Sequence, residues 1–491
     1  MQMDAIWPEN GGLVARVVAT IVTEVRSGAI RPSGRLPSER ACAQRLNVSR
    51  NTVTAAYGEL ERRGIIRRLH GKGSFLCALP TAEETFSWSG KISRSADSLD
   101  EPVLELLARR CSNDIAYPLS AGTPSLAAFP AEIYSEFVRR TLLDELPGVF
   151  AVAPTEGQWR LRKALAEWLH VQPQNVMITA GAQEGIDLLA RCLIEPGDAV
   201  VVESPTYAGA IQSFRSAGAQ LVPWSAEWPL GELENLLLRH RPKLLFVTPT
   251  FQNPTGRVMT QKTREGLLSL AYRYRVPVIE DDVYAQVGFG GEAPPASLYR
   301  QDTRSQVVSL STFSKMLAPG LRIGWLLAPS YMVKQLSLIK MRSNLFTGGL
   351  NQLVLSTMLR EGEMERHLTR LRPHHAGLCD AALHALRPAL DEGLLHCRAP
   401  RGGLYLWCRV GFPVDLETFF AELEERGVSV APGSAFVADS RADSQHFRIC
   451  FTACEREALQ QGLHTVVETL REMRLAAGSR GETGDAVCAS A

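Results

Sequence analysis

Within the first 76 residues, apolar side chains recur at a helical period up to about residue 63. Two short β-prone runs follow. Apolar residues recurring every three or four positions predict three helices, over Leu13–Ser27, from Pro37-Ser38-Glu39-Arg40 onward, and over Ser49–Arg63. Ser38 and Ser49 stand where N-cap residues are favoured. Two short β-prone runs, 65–69 and 74–76, flank His70-Gly71-Lys72-Gly73, whose glycines permit a tight turn. The pattern predicts a helical unit followed by a hairpin.

From about residue 118, short β-rich runs alternate with longer helical ones. The β-rich runs are 176–179, 199–202, 244–247, 276–279 and 307–310. Strands separated by helices indicate a largely parallel sheet covered on both faces. The sequence therefore predicts an α/β body over 118–475, with a smaller α/β unit at about 366–475.

The remaining segments lack strong periodicity. Residues 77–117 have mixed polarity and predict a linker with one short helix near 103–110. Residues 476–491 are rich in Gly, Ala and Ser, which predicts a disordered tail. The predicted order is an N-terminal unit at 11–76, a linker at 77–117 and the body at 118–475.

Composition and charge separate the two folded parts further. The chain has 491 residues, of which 45% are apolar and 21% charged, which is typical of a folded protein and excludes a disordered chain. The formal net charge is only +1. Residues 1–76 nevertheless contain 12 Lys/Arg and 6 Asp/Glu, a net charge of +6, so the other residues carry −5. This asymmetry predicts different partners for the two parts.

Cysteines and apolar runs bear on the cell compartment. The ten cysteines are scattered, and Cys450 and Cys454 lack the C-x-x-C spacing of zinc or thiol-redox sites. Free thiols in a reducing cytoplasm, with no metal, are the expectation. No basic stretch followed by an apolar run opens the chain, and no segment approaches about 18 uncharged apolar residues. The sequence therefore disfavours secretion and membrane insertion and predicts a cytoplasmic protein.

The N-terminal unit carries an ordered set of DNA-binding signals. Its segments are Arg35-Leu-Pro-Ser-Glu-Arg40, Leu46-Asn-Val-Ser-Arg-Asn-Thr-Val53, Leu60-Glu-Arg-Arg-Gly64 and His70-Gly-Lys-Gly73. A helix beginning Ser49-Arg50-Asn51-Thr52 presents short polar groups and one arginine, which suits the phosphates and base edges of a major groove. For Arg62, Arg63, Arg67 and Arg68, a solvated basic face is an equal alternative.

These residues resemble the GntR family of winged helix-turn-helix proteins over almost all of residues 11–76. The resemblance implies double-stranded DNA as a partner. Arg50 is the best candidate to bind guanine. Backbone and minor-groove contacts are implied for Arg40 and for the wing residues His70, Gly71 and Lys72. The full predicted DNA-binding set is Arg40, Ser49, Arg50, Thr52, His70, Gly71 and Lys72.

In the body, five motifs stand where predicted strands end, and open α/β sheets bind ligands at the carboxyl ends of their strands. The motifs are Ala180-Gly-Ala-Gln-Glu-Gly185, Glu203-Ser-Pro-Thr-Tyr207, Asn253-Pro-Thr-Gly256, Glu280-Asp-Asp-Val-Tyr284, and Ser311-Thr-Phe-Ser-Lys315 with Arg322. A Gly-rich helix start suits a phosphate. A buried carboxylate needs a cation. A lysine can form a Schiff base, and an arginine can pair a phosphate. Alone, each motif is equally typical of an ordinary turn, a core tyrosine or a surface lysine.

Together the motifs resemble fold-type I pyridoxal-phosphate enzymes, specifically class I aminotransferases, from about 118 to 470. The resemblance implies pyridoxal 5'-phosphate as cofactor and Lys315 as the internal aldimine and catalytic residue. It implies Asp281 on the pyridine nitrogen, chosen over Asp282 because the family's aspartate precedes its tyrosine by three residues. The other implied cofactor contacts are Asn253 and Tyr284 on the phenolate oxygen, Tyr207 on the ring, and Gly181, Ala182, Gln183, Ser314 and Arg322 on the phosphate.

The likeness continues in the small unit and has two departures. In Phe447-Arg-Ile-Cys-Phe451, Arg448 is the expected clamp for a ligand α-carboxylate, and an arginine paired to a surface acid is the alternative. Thr312 stands where the family commonly has serine and keeps the hydroxyl. Val152 stands where many relatives carry a tyrosine that contacts the partner subunit's phosphate, which predicts a lower cofactor affinity or turnover.

A GntR-like unit joined to an aminotransferase-like body resembles the MocR/GabR family of bacterial transcription regulators along nearly the whole chain. The resemblance implies a transcription factor that senses an amine or amino acid by aldimine exchange at Lys315. It also implies a head-to-tail homodimer and two DNA half-sites. The alternatives are a transaminase with an accessory DNA-binding domain and a regulator whose cofactor site is a plain ligand pocket. The cofactor residues serve enzyme and sensor equally, so they leave enzymatic activity open.

Overall fold

The computed structural model describes residues 12–26, 35–69, 73–77, 91, 115–439 and 445–485. Contacts within the chain define two compact units, Met1–Arg94 and Ser95–Ala491. The boundary between them falls inside the segment that the sequence predicts as a linker. The predicted helix near 103–110 lies outside the described residues.

The N-terminal unit is a small helical domain with a two-stranded hairpin. Its elements are α1 (Leu13–Arg26), α2 (Glu39–Leu46), α3 (Arg50–Arg62), β1 (Ile66–Leu69) and β2 (Gly73–Leu76). Ser38 caps α2, its side chain accepting from the N–H of Ala41, and Ser49 caps α3 by accepting from the N–H of Thr52. Val18, Val53 and Leu60 are among the residues that form its core. The predicted winged helix-turn-helix is therefore present.

The body contains a seven-stranded sheet in its described part. The strands are β3 (Val176–Thr179), β4 (Ala199–Glu203), β5 (Gln220–Trp224), β6 (Leu244–Val247), β7 (Val278–Asp281), β8 (Val307–Thr312) and β9 (Gly324–Leu327), in the order β3-β9-β8-β7-β6-β4-β5. The pairs among β8, β7, β6, β4 and β5 are parallel, whereas β9 is antiparallel to both of its neighbours. The predicted largely parallel sheet is confirmed, and the carboxyl ends of its parallel strands meet at one edge.

Helices cover this sheet. They are α4 (Ala131–Asp144), α5 (Leu146–Phe150), α6 (Trp159–Leu169), α7 (Ala182–Leu193), α8 (Ala208–Ser216), α9 (Leu230–His240), α10 (Gln261–Tyr274), α11 (Leu298–Gln301), α12 (Ser330–Ser343) and α13 (Gly349–Arg360). Strands β3, β6, β7 and β9 are buried at every position. Such continuous burial explains why their sequences read as apolar runs rather than alternating ones.

The smaller unit is built on a second, antiparallel sheet. It contains α14 (Glu363–Asp391), β10 (Leu395–Cys397), β11 (Tyr405–Val410), α15 (Leu416–Glu425), β12 (Ala431–Pro432), β13 (His446–Cys450) and α16 (Arg456–Asp485), with strand order β10-β11-β13-β12. Residues from the start of the body join this unit. The N–H of Tyr117 donates to the carbonyl of Gly427 (2.9 Å), and Leu119 is buried in the small unit's core.

Some elements differ from the sequence prediction. Strands β5 and β9 are not predicted, because Gln220–Trp224 contains a proline and Gly324–Leu327 follows a turn without a helix between. Helix α16 continues to Asp485, past residue 476 where the predicted disordered tail begins; alanines at 476 and 477 favour helix. Residues 486–491 lie outside the described part.

Membrane, metal and thiol features follow from the same coordinates. Within the described ranges, no helix is long and apolar enough to cross a bilayer. The same ranges contain no cluster of three or more His, Cys, Asp or Glu suited to a metal ion. The cysteines described there are free thiols.

The fold predicts a local effect of Leu60→Ala, because Leu60 is fully buried in the core of the N-terminal unit. Removing this side chain should lower the unfolding free energy of that unit by about 2–5 kcal/mol. Hydrogen exchange measured by mass spectrometry should therefore accelerate in peptides from 35–69. Equal acceleration in peptides from 176–327 would contradict the division into two compact units.

Candidate cofactor site and nucleic-acid interface

Lys315 lies in a cavity at the carboxyl edge of the large sheet. A 3-10 turn, Phe313–Lys315, follows β8 directly and places the lysine there. Its Nζ donates to the carbonyl of Gly122 (2.5 Å) and stands 5.9 Å from the ring centre of Tyr284. The walls of the cavity are Gly122, Ala182, Gln183, Tyr207, Ala208, Asn253, Asp281, Val283, Tyr284, Thr312, Ser314, Lys315, Pro319, Arg322, Tyr405, Phe436 and Arg448. The five motifs at the strand ends thus converge, each contributing to this wall.

Strand alternation separates the two candidate aspartates. Successive side chains of a strand point to opposite faces, so Asp281 and Asp282 cannot share a site. Asp281 lines the Lys315 cavity, whereas Asp282 lines a different cavity with Arg300. The sequence-based choice of Asp281 thus coincides with the carboxylate that the structure places beside Lys315.

Asp281 is a buried carboxyl group with few hydrogen-bond partners. The residue is 3% exposed, and its Oδ1 has no hydrogen-bond partner. Burial raises the pKa of the Asp281 carboxyl to about 7, against the opposing effects of the Lys315 ammonium and the N–H of Val283. A carboxylate in this position calls for a further hydrogen-bonded cation.

Tyr284, Asn253 and Arg448 are further polar residues of the cavity wall. The Tyr284 and Tyr405 hydroxyls lie 3.0 Å apart, and burial raises the pKa of Tyr284 well above its usual value. Arg448 donates from Nη1 to Oδ1 of Asn253 (2.9 Å) and from Nη2 to the carbonyl of Ser120 (2.8 Å).

Arg448 is buried, and its guanidinium lies 4.1 Å from the ring centre of Tyr405. Its Nε has no hydrogen-bond partner. Among the described residues, no carboxylate lies within salt-bridge distance of Arg448. The alternative of an arginine paired to a surface acid therefore does not describe this side chain. A buried guanidinium with spare donors is suited to a ligand carboxylate.

The other end of the cavity is shaped for a compact anion. Helix α7 begins after Gly181, which has φ +93°, and points its first N–H groups at the cavity. Arg322 packs on this turn, its Nη2 donating to the carbonyl of Ala180 (2.6 Å). A Cβ on Gly181 would stand 3.0 Å from Arg322 Nη2, so only glycine fits comfortably.

Ser314 and Thr312 lie at the same end. The Thr312 hydroxyl donates to the carbonyl of Ile323 (2.9 Å) and lies 3.0 Å from the Ser314 Oγ. The extra methyl of Thr312 is thus accommodated without displacing Ser314 from the wall. Gln183 donates from Nε2 to Ser213 (2.9 Å), and its buried Oε1 has no partner. Tyr207 also lines the cavity.

A short segment, residues 117–123, reaches the cavity wall at Gly122 and is called the strap below. Three of its consecutive carbonyls face the site: those of Ser120 and Ala121 accept from Arg448 (2.8 and 3.4 Å), and that of Gly122 accepts from Lys315. Strand β13 anchors the strap through the N–H of Cys450, which donates to Leu119 (2.8 Å). The strap therefore contacts both cationic side chains of the cavity.

Sequence reasoning missed Gly122, Tyr405 and Phe436 as wall residues. Gly122 follows no predicted strand and has no chemical signature. Tyr405 belongs to Gly402-Gly-Leu-Tyr-Leu-Trp407, a further motif of the aminotransferase likeness, and that motif could have suggested it. Phe436 lies 4.8 Å from the Arg448 guanidinium and ends Pro432-Gly-Ser-Ala-Phe436, a motif of the same likeness that could also have suggested it.

The N-terminal unit presents the leading end of α3. Arg50 and Asn51 are exposed, and the Arg50 side chain is 72% exposed with its Nε 3.7 Å from Glu39. The Ser49 hydroxyl lies 2.8 Å from that of Thr52, so both belong to the N-cap as well as to the predicted DNA-binding set. Arg40 is exposed in the first turn of α2. The predicted wing residues His70, Gly71 and Lys72 lie outside the described residues.

Other basic residues of this unit form ion pairs with glutamates. Arg62 and Arg63 pair with Glu59, and Arg68 lies between Glu39 (3.7 Å) and Glu61 (3.6 Å) while donating to the carbonyl of Thr54. Arg68 thus connects the hairpin to α3. These contacts favour the alternative of a solvated face for Arg62 and Arg63, and they give Arg68 a structural role.

Comparison with known families covers both units. The model of the aminotransferase class I and II family matches residues 112–466. The model of the bacterial regulatory proteins of the gntR family matches residues 13–76. The two matches coincide with the body and with the N-terminal unit.

Individual relatives have one or both of these parts. The uncharacterized HTH-type transcriptional regulator YisV of Bacillus subtilis (strain 168) is 30% identical over 90% of this chain and 92% of its own length. The probable rhizopine catabolism regulatory protein MocR of Rhizobium meliloti is 29% identical over 83% of this chain and 84% of its own. LysN, an α-aminoadipate aminotransferase from Thermus thermophilus solved with N-(5'-phosphopyridoxyl)-L-leucine, superposes with a TM-score of 0.74 at 31% identity, covering 80% of this chain and all of that one.

Fold and site together define a DNA-binding domain fused to an aminotransferase-like body. The chain belongs to the aminotransferase class I and II family and, with its gntR domain, is a regulator of the MocR/GabR type. Pyridoxal phosphate is the cofactor of this body. The cavity fits it: Asp281 has an unpartnered buried oxygen for a protonated ring nitrogen, and the Gly181 turn with Arg322 suits a phosphate.

The Asp281 carboxyl predicts a pH effect on the cofactor-free protein. Its pKa is about 7 in the folded state and 3.8 ordinarily, so the folded state binds its proton more tightly. This contribution to stability is complete below pH 3.8 and is lost as the pH rises through 7, by an amount on the order of a few kcal/mol. In urea unfolding at about pH 5 to 8, Asp281→Asn should flatten the decline. Parallel wild-type and variant curves would contradict the assignment.

Proposed function

We propose that this protein is a pyridoxal-phosphate-dependent transcription regulator that senses an amine or amino acid by exchange at Lys315. The observation that carries the proposal is that Lys315 and Arg448 line one cavity in a chain that also has an exposed, Ser49-capped helix of the gntR type. Because it acts on DNA, we place it in the cytoplasm.

Each cavity residue has a role in this proposal. The aldehyde of pyridoxal phosphate supplies covalent carbon–nitrogen chemistry with primary amines. Lys315 would hold the cofactor through its Nζ and would give up that place to the amine of a ligand. Asp281 would hold the ring nitrogen, Asn253 and Tyr284 would hold the phenolate oxygen, and Tyr207 would contact the ring. The residues that would hold the phosphate are Gly181, Ala182, Gln183, Ser314 and Arg322.

Arg448 selects ligands that carry a carboxylate beside the amine. A carboxylate placed on Nη2 would stand against the carbonyls of Ser120 and Ala121, which already accept from that nitrogen. Lone pairs of carboxylate and carbonyl repel, so binding favours displacement of the strap. The released Lys315 amine acts on the same strap through Gly122.

The strap offers a route from ligand to linker. The strap begins at residue 117, where the predicted linker 77–117 ends. A shift of the strap would therefore move the end of the linker that leads to the DNA-binding unit. A ligand with different contacts in two states shifts their populations. A coupling of about 1–3 kcal/mol would change DNA affinity about 5- to 150-fold.

We further propose that the regulator acts as a homodimer. Between residues 143 and 159, the body exposes apolar side chains that a single copy leaves in water: Leu143, Leu146, Phe150, Val152 and Trp159 are each at least 52% exposed. Val152 is the position of the family tyrosine that contacts the partner subunit's phosphate. A dimer in turn predicts two DNA half-sites.

The second candidate is a transaminase that turns over, with the N-terminal unit as an accessory. The likeness to the aminotransferase LysN favours it, whereas the cofactor residues serve both candidates equally. The two are separated by mixing the purified protein with amino-acid panels, following cofactor absorbance, and comparing keto-acid formation with ligand-dependent DNA retardation. Many turnovers without any effect on DNA would favour the enzyme.

Arg50→Ala should weaken DNA binding at least tenfold and leave the absorbance of the bound cofactor unchanged. Arg50 is exposed at the leading end of α3, where a charged contact to base or phosphate contributes about 1–3 kcal/mol. Fluorescence anisotropy with DNA flanking the protein's own gene, across a salt series, measures it. Arg62→Ala is the matched control, because Arg62 is equally exposed and pairs with Glu59. Equal losses in both variants would count against α3 as the DNA-reading helix.

Lys315→Ala should abolish the ligand response of DNA binding while leaving ligand-free DNA binding measurable. The reason is that the variant lacks the amine that the ligand replaces. The same anisotropy assay, run with and without the amino acid that shifts the wild-type absorbance, tests it. A variant that still responds to ligand would show that the site is a plain ligand pocket.

A further inference from the structure

A second cleft lies between the small unit's sheet and the large sheet's loops. Its volume is about 680 Å³, within the range of small-molecule sites, and it shares no wall residue with the Lys315 cavity. Its charged and imidazole side chains are Glu227, Arg257, Arg398, Arg401, Arg409, His396 and His446.

Strand register explains why basic groups gather there. His396 of β10 is opposite Arg409 of β11, and Arg409 is opposite His446 of β13. Directly opposed residues share one face of a sheet. Trp407, two residues from Arg409, is opposite Arg448, so the face that presents Arg448 to the Lys315 cavity presents this basic row farther along.

An aromatic wall separates the two sites. The rings of Trp407 and Phe436 pack edge to face with centroids 5.8 Å apart. Trp407 lines the second cleft, whereas Phe436 lines the Lys315 cavity. The carbonyl of Phe436 accepts from the N–H of Thr206 (2.7 Å), which fixes the wall to the large sheet's loop. The second cleft is therefore a site of its own.

The cleft's charges do not balance. Four guanidinium groups line it with one carboxylate, Glu227, which is shared between Arg257 (3.5 Å) and Arg398 (3.3 Å). Arg257 is also committed to the buried Glu203. Within the described ranges, no carboxylate lies within salt-bridge distance of Arg409. Concave walls concentrate the resulting positive potential and attract anions.

We propose that this cleft binds a small multivalent anion, carrying two or more phosphate or carboxylate groups, in addition to the ligand of Lys315. Arg409 supplies a guanidinium group without a carboxylate partner in the described ranges, and Arg398, which shares Glu227 with Arg257, supplies a second; their planar forks suit both kinds of oxygen anion. Arg257, on the large sheet's loops, and Arg398, in the small unit, both line the cleft, so an anion bound between them would lie against both sides. Binding of the anion would therefore favour the arrangement of the body in which the large sheet's loops and the small unit both contact it.

The test uses full-length holoprotein whose cofactor has been fixed on Lys315 with borohydride, so that a probe cannot enter the first cavity. A mass-spectrometric adduct on the Lys315 peptide verifies that step and separates failure of the proposed function from failure of this inference. Isothermal titration calorimetry with pyrophosphate and with citrate then measures binding at low ionic strength. If only pyrophosphate binds, the site is selective for phosphate groups, and if only citrate binds, it is selective for carboxylate groups. If both bind, the site recognises charge without distinguishing the two groups. Each of these results supports the site.

Arg398→Gln combined with Arg409→Gln should lower the affinity for the probe at least tenfold. Both side chains are exposed, so folding is expected to be retained, and the cofactor absorbance checks it. The matched control is Arg239→Gln combined with Arg387→Gln, which removes the same charge from exposed positions outside the cleft. The proposal is overturned if neither probe binds at about 10 mM. It is also overturned if the two double variants weaken probe binding equally.

Discussion

A buried carboxylate and a half-buried amine at the ends of neighbouring strands are the constraint on which the body depends. Asp281 ends β7 and Lys315 follows β8, and the register of the two strands brings both to one cavity. The carboxylate has an unpartnered oxygen and a pKa of about 7. An isolated charge in such a place costs several kcal/mol, so the site is completed by a cation, which the protonated ring of pyridoxal phosphate provides.

The strap gives this site a connection that an isolated enzyme would not need. Its carbonyls contact Arg448 and Lys315, the two side chains proposed to meet the carboxylate and the amine of one ligand. Its upstream end continues into the linker. The side chains proposed to recognise the ligand therefore also contact the segment that follows the predicted linker. In a transaminase the same contacts would serve only closure of the site, so the cavity residues by themselves favour neither function.

Much of the architecture follows from local sequence. Apolar runs identify β3, β4, β6, β7 and β8, and the rule that parallel strands end at one edge places the five motifs together. The family's spacing of aspartate and tyrosine selects Asp281 over Asp282, and the structure places the two residues in different cavities. N-cap serines mark the helices α2 and α3 at the correct residues.

The remainder depends on contacts between distant residues. Gly122 meets Lys315 across 193 positions, and Arg448 meets Ser120 across 328, so no local pattern reveals either contact. The structural role of Arg68 depends on its distance to Glu39 and Glu61. The second basic cleft depends on cross-strand register among three strands, none of which is identified as a site from its own sequence.

The most direct test of the central claim is one titration with two optical signals. The holoprotein, bound to labelled DNA from the region flanking its own gene, is titrated with an amino acid while cofactor absorbance and DNA anisotropy are recorded together. The account predicts that both signals change with one midpoint. An absorbance change that is complete while the anisotropy stays constant would contradict it.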